Sequence, residues 1–148
     1  MSPLTTSTSI APQGPQTAEA ATGGLAVALL DAASLAALHQ LDPTGANRLV
    51  PRVMTIYRSS LARLLGQLTL ARERDDVAAL RLVTHTLKSC SASVGALALS
   101  ALCAQAEQAV RGGRLHDLPP LLDQLESEAI RVDVAVLQLL SDPSTNAR

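Results

Sequence analysis

The chain has no phenylalanine and no tryptophan, and Tyr57 is its one aromatic residue. A stacking platform for unpaired bases needs aromatic rings, so that class of function is excluded. Binding to duplex nucleic acid demands a clustered basic surface, and a formal net charge of -1 argues against it. Two cysteines, Cys90 and Cys103, are too few for a disulfide framework and point to a reducing, cytoplasmic compartment. The N-terminus lacks the charged-then-apolar order of a secretory signal. The most apolar early run, Leu25 to Leu41, is interrupted by Asp31 and His39 and is too short to span a bilayer. No membrane association is expected. A GxxxxGK[ST] loop and any other glycine-rich nucleotide cradle are also missing, so the chain is not expected to phosphorylate itself.

What remains is a chain of 148 residues that is 47% hydrophobic, its apolar content carried by Leu, Val, Ile and Ala. Those residues suit interlocking helices better than a sheet. Residues 1–23, rich in Ser, Thr, Ala, Pro, Gln and Gly, read as a disordered tail, residues 24–141 as one helical domain and residues 142–148 as a flexible end. Leu29, Ala33, Ala36/Ala37 and Leu41 suggest a short first helix ending by Asp42-Pro43. A long second helix follows from about Asn47 to Arg72. Its stripe is Leu49, Val53, Ile56, Leu64, Leu68 and Ala71, widened by Val50, Met54, Tyr57 and Leu61. Asp75 is placed to cap a third helix through Val77, Leu80, Val83/Thr84, Leu87 and Cys90. A fourth runs from Gly95 to Arg111 through Leu99, Leu102/Cys103, Ala106 and Val110, and Gly112-Gly113 stops it. Asp117, with Pro119 and Pro120 in the first turn, opens a fifth, which carries Leu118, Leu121/Leu122, Leu125, Val132, Val136 and Leu139 inward. The expectation is all-α: an up-down four-helix bundle, monomeric, with a short additional N-terminal helix.

The third helix carries the chemistry. In "THTLKSCSASVGAL", residues 84–97, a histidine and a lysine stand one turn apart among small residues that weaken a helix. Steps of about 100° put His85 roughly 200° from Val83, on the outer face beside Ala78, Arg81, Lys88, Ser89 and Ala92. A histidine on such a face is ordinarily only a solvated residue. A solvated face, however, favours Glu, Gln and Lys rather than Ser89, Ser91, Ala92 and Ser93. The small neighbours leave the ring accessible, and the cations make its surroundings attractive to an anion. Glu107 and Glu126 read as surface charges, with Glu107 spaced to pair with Arg111.

The segment resembles the histidine-containing phosphotransfer domain: His85, Lys88 three residues on, a run of small residues, and Gly95 ten after the histidine. The following helix, with Cys103 and Glu107, and the upstream aromatic Tyr57 are similar as well, and the likeness extends over residues 28–140. One position departs from the pattern: Ser89 stands where the family usually has glycine. The resemblance implies that His85 is phosphorylated through Nε2 and that Lys88 steadies the phosphoryl group. Ala78, Arg81, Ser89, Ala92 and Gly95 would dock the partner. It also implies that the partners are a response-regulator receiver domain and a hybrid sensor histidine kinase. Mg²⁺ would belong to the receiver, and the chain would need no cofactor of its own. Two rival readings differ in kind. A metal site in the bundle core lacks its Glu-x-x-His spacing. A helical adaptor that binds a signalling partner without phosphorylation shares the fold and predicts no label on His85.

Overall fold

The computed structural model describes residues 29–142; the expected N-terminal tail and all but the first residue of the expected flexible end lie outside them. Within that span the chain forms α1 (Ala32–Leu41), α2 (Leu49–Glu73), α3 (Val77–Ser93), α4 (Leu97–Arg111), a 3-10 turn (Leu115–Asp117) and α5 (Leu118–Ser141). No strand occurs among the described residues. Helices α2 to α5 each pack on the next, α5 closes back on α2, and α1 lies against α2. This is the up-down four-helix bundle with one short extra helix.

The starts of the helices are set by local chemistry. The Asp31 carboxylate accepts from Ser34 N at 3.0 Å and opens α1. The buried Asp42 accepts from Leu49 N at 3.1 Å and from Asn47 N, satisfying donors that the first turn of α2 leaves free. At α3 the cap is Asp76, which accepts from Ala79 N at 3.1 Å, and not Asp75. Asp75 instead takes φ 49° in the turn before the helix, a conformation that short polar residues tolerate. Helix α4 starts at Leu97 rather than Gly95, because Gly95 has φ +83° and cannot continue a right-handed turn. Asp117 precedes α5 but makes no side-chain cap bond.

The core is aliphatic, as the composition requires. Helix α2 buries Val50, Met54, Tyr57, Leu61, Leu64, Leu68 and Ala71. Ile56, expected on that stripe, is 64% exposed, since burying Tyr57 turns its neighbour about 100° away. In α1 the expected Ala33, Ala36, Ala37 and Leu41 face solvent, while Leu35 and Leu38 pack on the core with the buried Leu30. The stripes expected for α3, α4 and α5 face inward, except that Val77 is partly exposed at the start of α3. Ser91 is fully buried and shares a 2.9 Å hydrogen bond with the Tyr57 hydroxyl, so the single aromatic pins the end of α3 to α2. Burial raises the Tyr57 pKa and outweighs the opposing effect of that hydrogen bond.

Candidate functional site

His85 lies midway along α3, its side chain 58% exposed. Lys88 follows three residues later, so the two side chains project from the same face. Their outward lean carries them toward α4, which runs antiparallel beside α3. The Ser100 hydroxyl of α4 donates to the Lys88 carbonyl at 2.9 Å and fixes the register of the hairpin. That register sets Glu107 opposite both. One carboxylate oxygen, Oε1, lies 3.1 Å from His85 Nδ1; the other, Oε2, accepts from Lys88 Nζ at 2.7 Å.

Glu107 was expected to be a surface charge and is not: its side chain is 7% exposed, covered by the groups it binds. The expected partner, Arg111, is the most distant of the three cationic or basic groups, at 3.9 Å. The Lys88 ammonium, hydrogen-bonded to it, is the main influence holding the Glu107 carboxyl below its ordinary range. Desolvation opposes this, and the His85 hydrogen bond adds to it. Glu107 is therefore ionised at neutral pH and can only accept. In the neutral ring the proton must sit on Nδ1, which leaves the Nε2 lone pair free. Nε2 makes no hydrogen bond among the described residues. A fixed tautomer with its basic nitrogen exposed is what a nucleophilic imidazole needs.

The signal for Glu107 in the sequence was faint. It adjoins Ala106 in the stripe Leu99, Cys103, Ala106 and Val110, where a carboxylate at the margin of a buried face calls for a partner. Glu126, the other expected surface charge, is half-buried and binds Arg72 at 3.1 Å.

Of the residues expected to dock a partner, Ala78, Arg81, Ser89 and Ala92 are exposed on the outer side of α3. Gly95 is not among them. It is buried in the α3–α4 turn, where its carbonyl accepts from Asp31 N at 2.8 Å. A Cβ there would come within 2.9 Å of Asp31 N and of Ser34 Cβ. Its role is to let α1 close on the turn.

The cysteines stand apart from the site. Cys103 is buried, and burial pushes its thiol up to about 12, while Cys90 is half-buried with its thiol also raised by burial. Neither is poised as a thiolate nucleophile. His39 and His116 are exposed elsewhere, and no cluster of ligating side chains suited to a metal occurs among the described residues.

The described residues thus form an antiparallel helical bundle that presents one outward imidazole held by a buried carboxylate. The model of the Hpt domain matches residues 52–135, and the chain belongs to that family. The crystal structure of histidine-containing phosphotransfer protein B (HptB) from Pseudomonas aeruginosa PAO1 is similar, with a TM-score of 0.70 and 27% sequence identity. The match covers 78% of this chain and 96% of that one. No curated protein matches the chain. The chain is thus an HPt phosphotransfer protein of two-component signalling, and proteins of that family are phosphocarriers rather than enzymes. Its family meets receiver domains and histidine kinases in phosphorelays. No helix among the described residues is long and apolar enough to cross a membrane.

Proposed function

We propose that His85 carries a phosphoryl group between receiver-domain aspartates. The observation that carries this reading is the Glu107–His85 hydrogen bond, which directs a free Nε2 lone pair outward beside Lys88. In the forward step Nε2 forms a bond to phosphorus while the bond from phosphorus to the receiver's aspartate oxygen breaks, releasing the carboxylate. The proton stays on Nδ1. The ring gains positive charge as the N–P bond forms, and the Glu107 carboxylate lies against that charge. The reverse step returns the phosphoryl group to a second receiver's aspartate.

Lys88 supplies a compact cation to the phosphoryl oxygens. Phosphoryl transfer depends chiefly on positioning and charge stabilisation, and the rest of this comes from the receiver and its Mg²⁺. The chain needs no bound cofactor and has no autokinase activity under this reading. It acts as a cytoplasmic monomer, taking its phosphoryl group from a hybrid kinase's receiver. Ala78, Arg81, Ser89 and Ala92 form the part of the docking face nearest the ring.

The test is to mix the protein with labelled, phosphorylated receiver domains and follow the label. Wild type takes it up on His85 as an acid-labile, alkali-stable adduct, and His85→Gln, which keeps a polar side chain beside Glu107, takes up none. Undiminished acid-stable phosphate on His85→Gln would refute the carrier role and leave a non-transferring adaptor.

A further inference from the structure

Hydroxyl groups inside these helices mostly turn back on their own helix. Thr55, Thr69, Thr84, Thr86, Ser93 and Ser141 each donate to the carbonyl four residues earlier, the local bond that serine and threonine make most readily in a helix. Ser100 does not. Its hydroxyl crosses from α4 to α3 and donates to the Lys88 carbonyl at 2.9 Å. Helix α4 therefore holds Lys88 at both ends, the carbonyl through Ser100 and the ammonium through Glu107 at 2.7 Å. With the 3.1 Å contact between Glu107 and His85 Nδ1, these are the side-chain hydrogen bonds that join α3 to α4 among the described residues.

The seam between the two helices makes the Ser100 bond consequential. Thr84, Lys88 and Ser91 recur at intervals of four and three, and Ala96, Ser100, Cys103 and Glu107 at four, three and four, so each set shares a face. Thr84, Ser91, Ala96 and Cys103 are fully buried, and none is large. Helices resist axial sliding when large side chains seat between the ridges of a neighbour. Small ones leave shallow ridges, so apolar packing here sets how near the helices lie, and the hydrogen bonds set how far along each other they lie. Ser100 and Glu107 are seven residues apart, two turns and about 10.5 Å along one helix, so a shift at Ser100 is carried to the carboxylate. Lys88 has a long, flexible side chain and follows such a shift. The shorter His85 side chain follows less well, and its 3.1 Å contact is lost after a few tenths of an ångström.

We infer that Ser100 is a positioning residue for phosphoryl transfer. By binding the Lys88 carbonyl it sets the axial register of α4 on α3, which keeps the Glu107 carboxylate on Nδ1 of His85 and the free lone pair on Nε2. Ser100 makes no hydrogen bond to His85 and acts through Glu107. The inference rests on the phosphotransfer reading and adds to it a residue two turns away from the ring contact.

Ser100→Thr and Ser100→Val test it, because the two side chains share a shape and differ in the hydroxyl. Labelling of His85 by phosphoramidate, a small donor with no docking surface, gives the rate, and ¹⁵N chemical shifts of the ring give the tautomer. Ser100→Thr should match wild type. Ser100→Val should label about threefold slower, part of the loss expected on removing Glu107 outright, and should hold more of its neutral ring protonated on Nε2. In a Glu107→Ala background the two variants should label at equal rates, because the residue through which Ser100 acts is gone. A bond that served stability alone would lower the melting temperature in both backgrounds and leave the tautomer as it was. An unchanged rate or an unchanged tautomer in Ser100→Val overturns the inference, as does a hydroxyl effect of the same size without Glu107. Should Ser100→Val lose helicity, Ser100→Ala against wild type makes the same comparison. If wild type takes no label, the phosphotransfer reading fails, and the ¹⁵N shifts still decide whether the hydroxyl holds Glu107 on the ring.

Discussion

Replacing Glu107 tests the site most directly, because one carboxylate both sets the tautomer of His85 and faces the charge that develops on it. Two unit charges about 4 Å apart attract by about 1 kcal/mol in water and about 4 kcal/mol at an effective dielectric of about 20. Glu107 Oε1 lies 3.1 Å from Nδ1, but the His85 side chain is 58% exposed, which moves the value toward the aqueous limit. Lys88, 2.7 Å from the other oxygen, neutralises part of the carboxylate as well. The charge effect is therefore about 1–1.5 kcal/mol, or roughly tenfold in rate. Loss of the acceptor also frees the neutral ring to place its proton on Nε2, removing part of the nucleophilic population and adding a further factor of about two to three. Glu107→Gln keeps an acceptor for Nδ1–H and loses only the charge, so it should label about tenfold slower than wild type. Glu107→Ala loses both and should label about twenty- to thirtyfold slower. The assay is the rate of His85 labelling by phosphoramidate, with ¹⁵N chemical shifts of the ring reporting the tautomer. A Glu107→Ala protein that labels at the wild-type rate with Nδ1 still protonated would refute the assignment.

Three further outcomes follow from the geometry. Gly95→Ala should destabilise by about 1–3 kcal/mol, because φ is +83° and the new Cβ would meet Asp31 N at 2.9 Å; thermal melting should fall by several degrees while His85 still labels. Tyr57→Phe removes the phenol that binds the buried Ser91, at a cost of about 1–2 kcal/mol, and adding Ser91→Ala should recover part of that loss. The folded-state pKa of Glu107 lies below its ordinary value of 4.5, so its stabilisation is complete above that pH and is lost as pH falls through the folded value. The difference in melting temperature between wild type and Glu107→Gln should accordingly shrink as pH drops below 4.5, and a constant difference would contradict the sign.

The sequence declares the bundle because apolar spacing survives in every long segment, and on α5 the buried stripe Leu118, Leu122, Leu125, Val132 and Val136 runs the length of the helix while the exposed Ile130, Val134 and Leu137 occupy only its second half. It misleads where two stripes are equally apolar. On α2, Ile56 and Tyr57 stand side by side, and only packing against α3, through Tyr57 and Ser91, selects the one that turns inward. Helix α1 is rich in alanine, so its periodicity carries little information about which side faces the core. His85 and Lys88 were legible because their relation is local to one helix. Glu107 was not, because its contacts span 22 and 19 residues and depend on the antiparallel register of α3 and α4. Gly95 illustrates the reverse error: a motif position grouped with docking residues turns out to serve the approach of α1 to a turn.

The contact between Lys88 and Glu107 has a consequence for the phosphorylated state. At 2.7 Å the ammonium is committed to the carboxylate before any phosphoryl group arrives. A phosphoryl group on Nε2 brings up to two negative charges to the same neighbourhood, against one on Glu107, and the Lys88 side chain is long and partly exposed. Lys88 should therefore swing from Glu107 toward the phosphoryl oxygens, leaving Glu107 to the Nδ1–H of a ring that is now more positive. Two opposing changes then act on the Glu107 carboxyl, loss of the ammonium and gain of charge on the ring, so the exchange keeps it ionised. The expected observation is a shift of the Lys88 Nζ and Glu107 Cδ resonances on phosphorylation. In Lys88→Gln the phosphorylated protein should discharge faster to water, because the phosphoryl oxygens lose the Lys88 ammonium. Unmoved Lys88 and Glu107 resonances, together with a wild-type lifetime of phosphohistidine in Lys88→Gln, would show that Lys88 serves only to hold Glu107 in place.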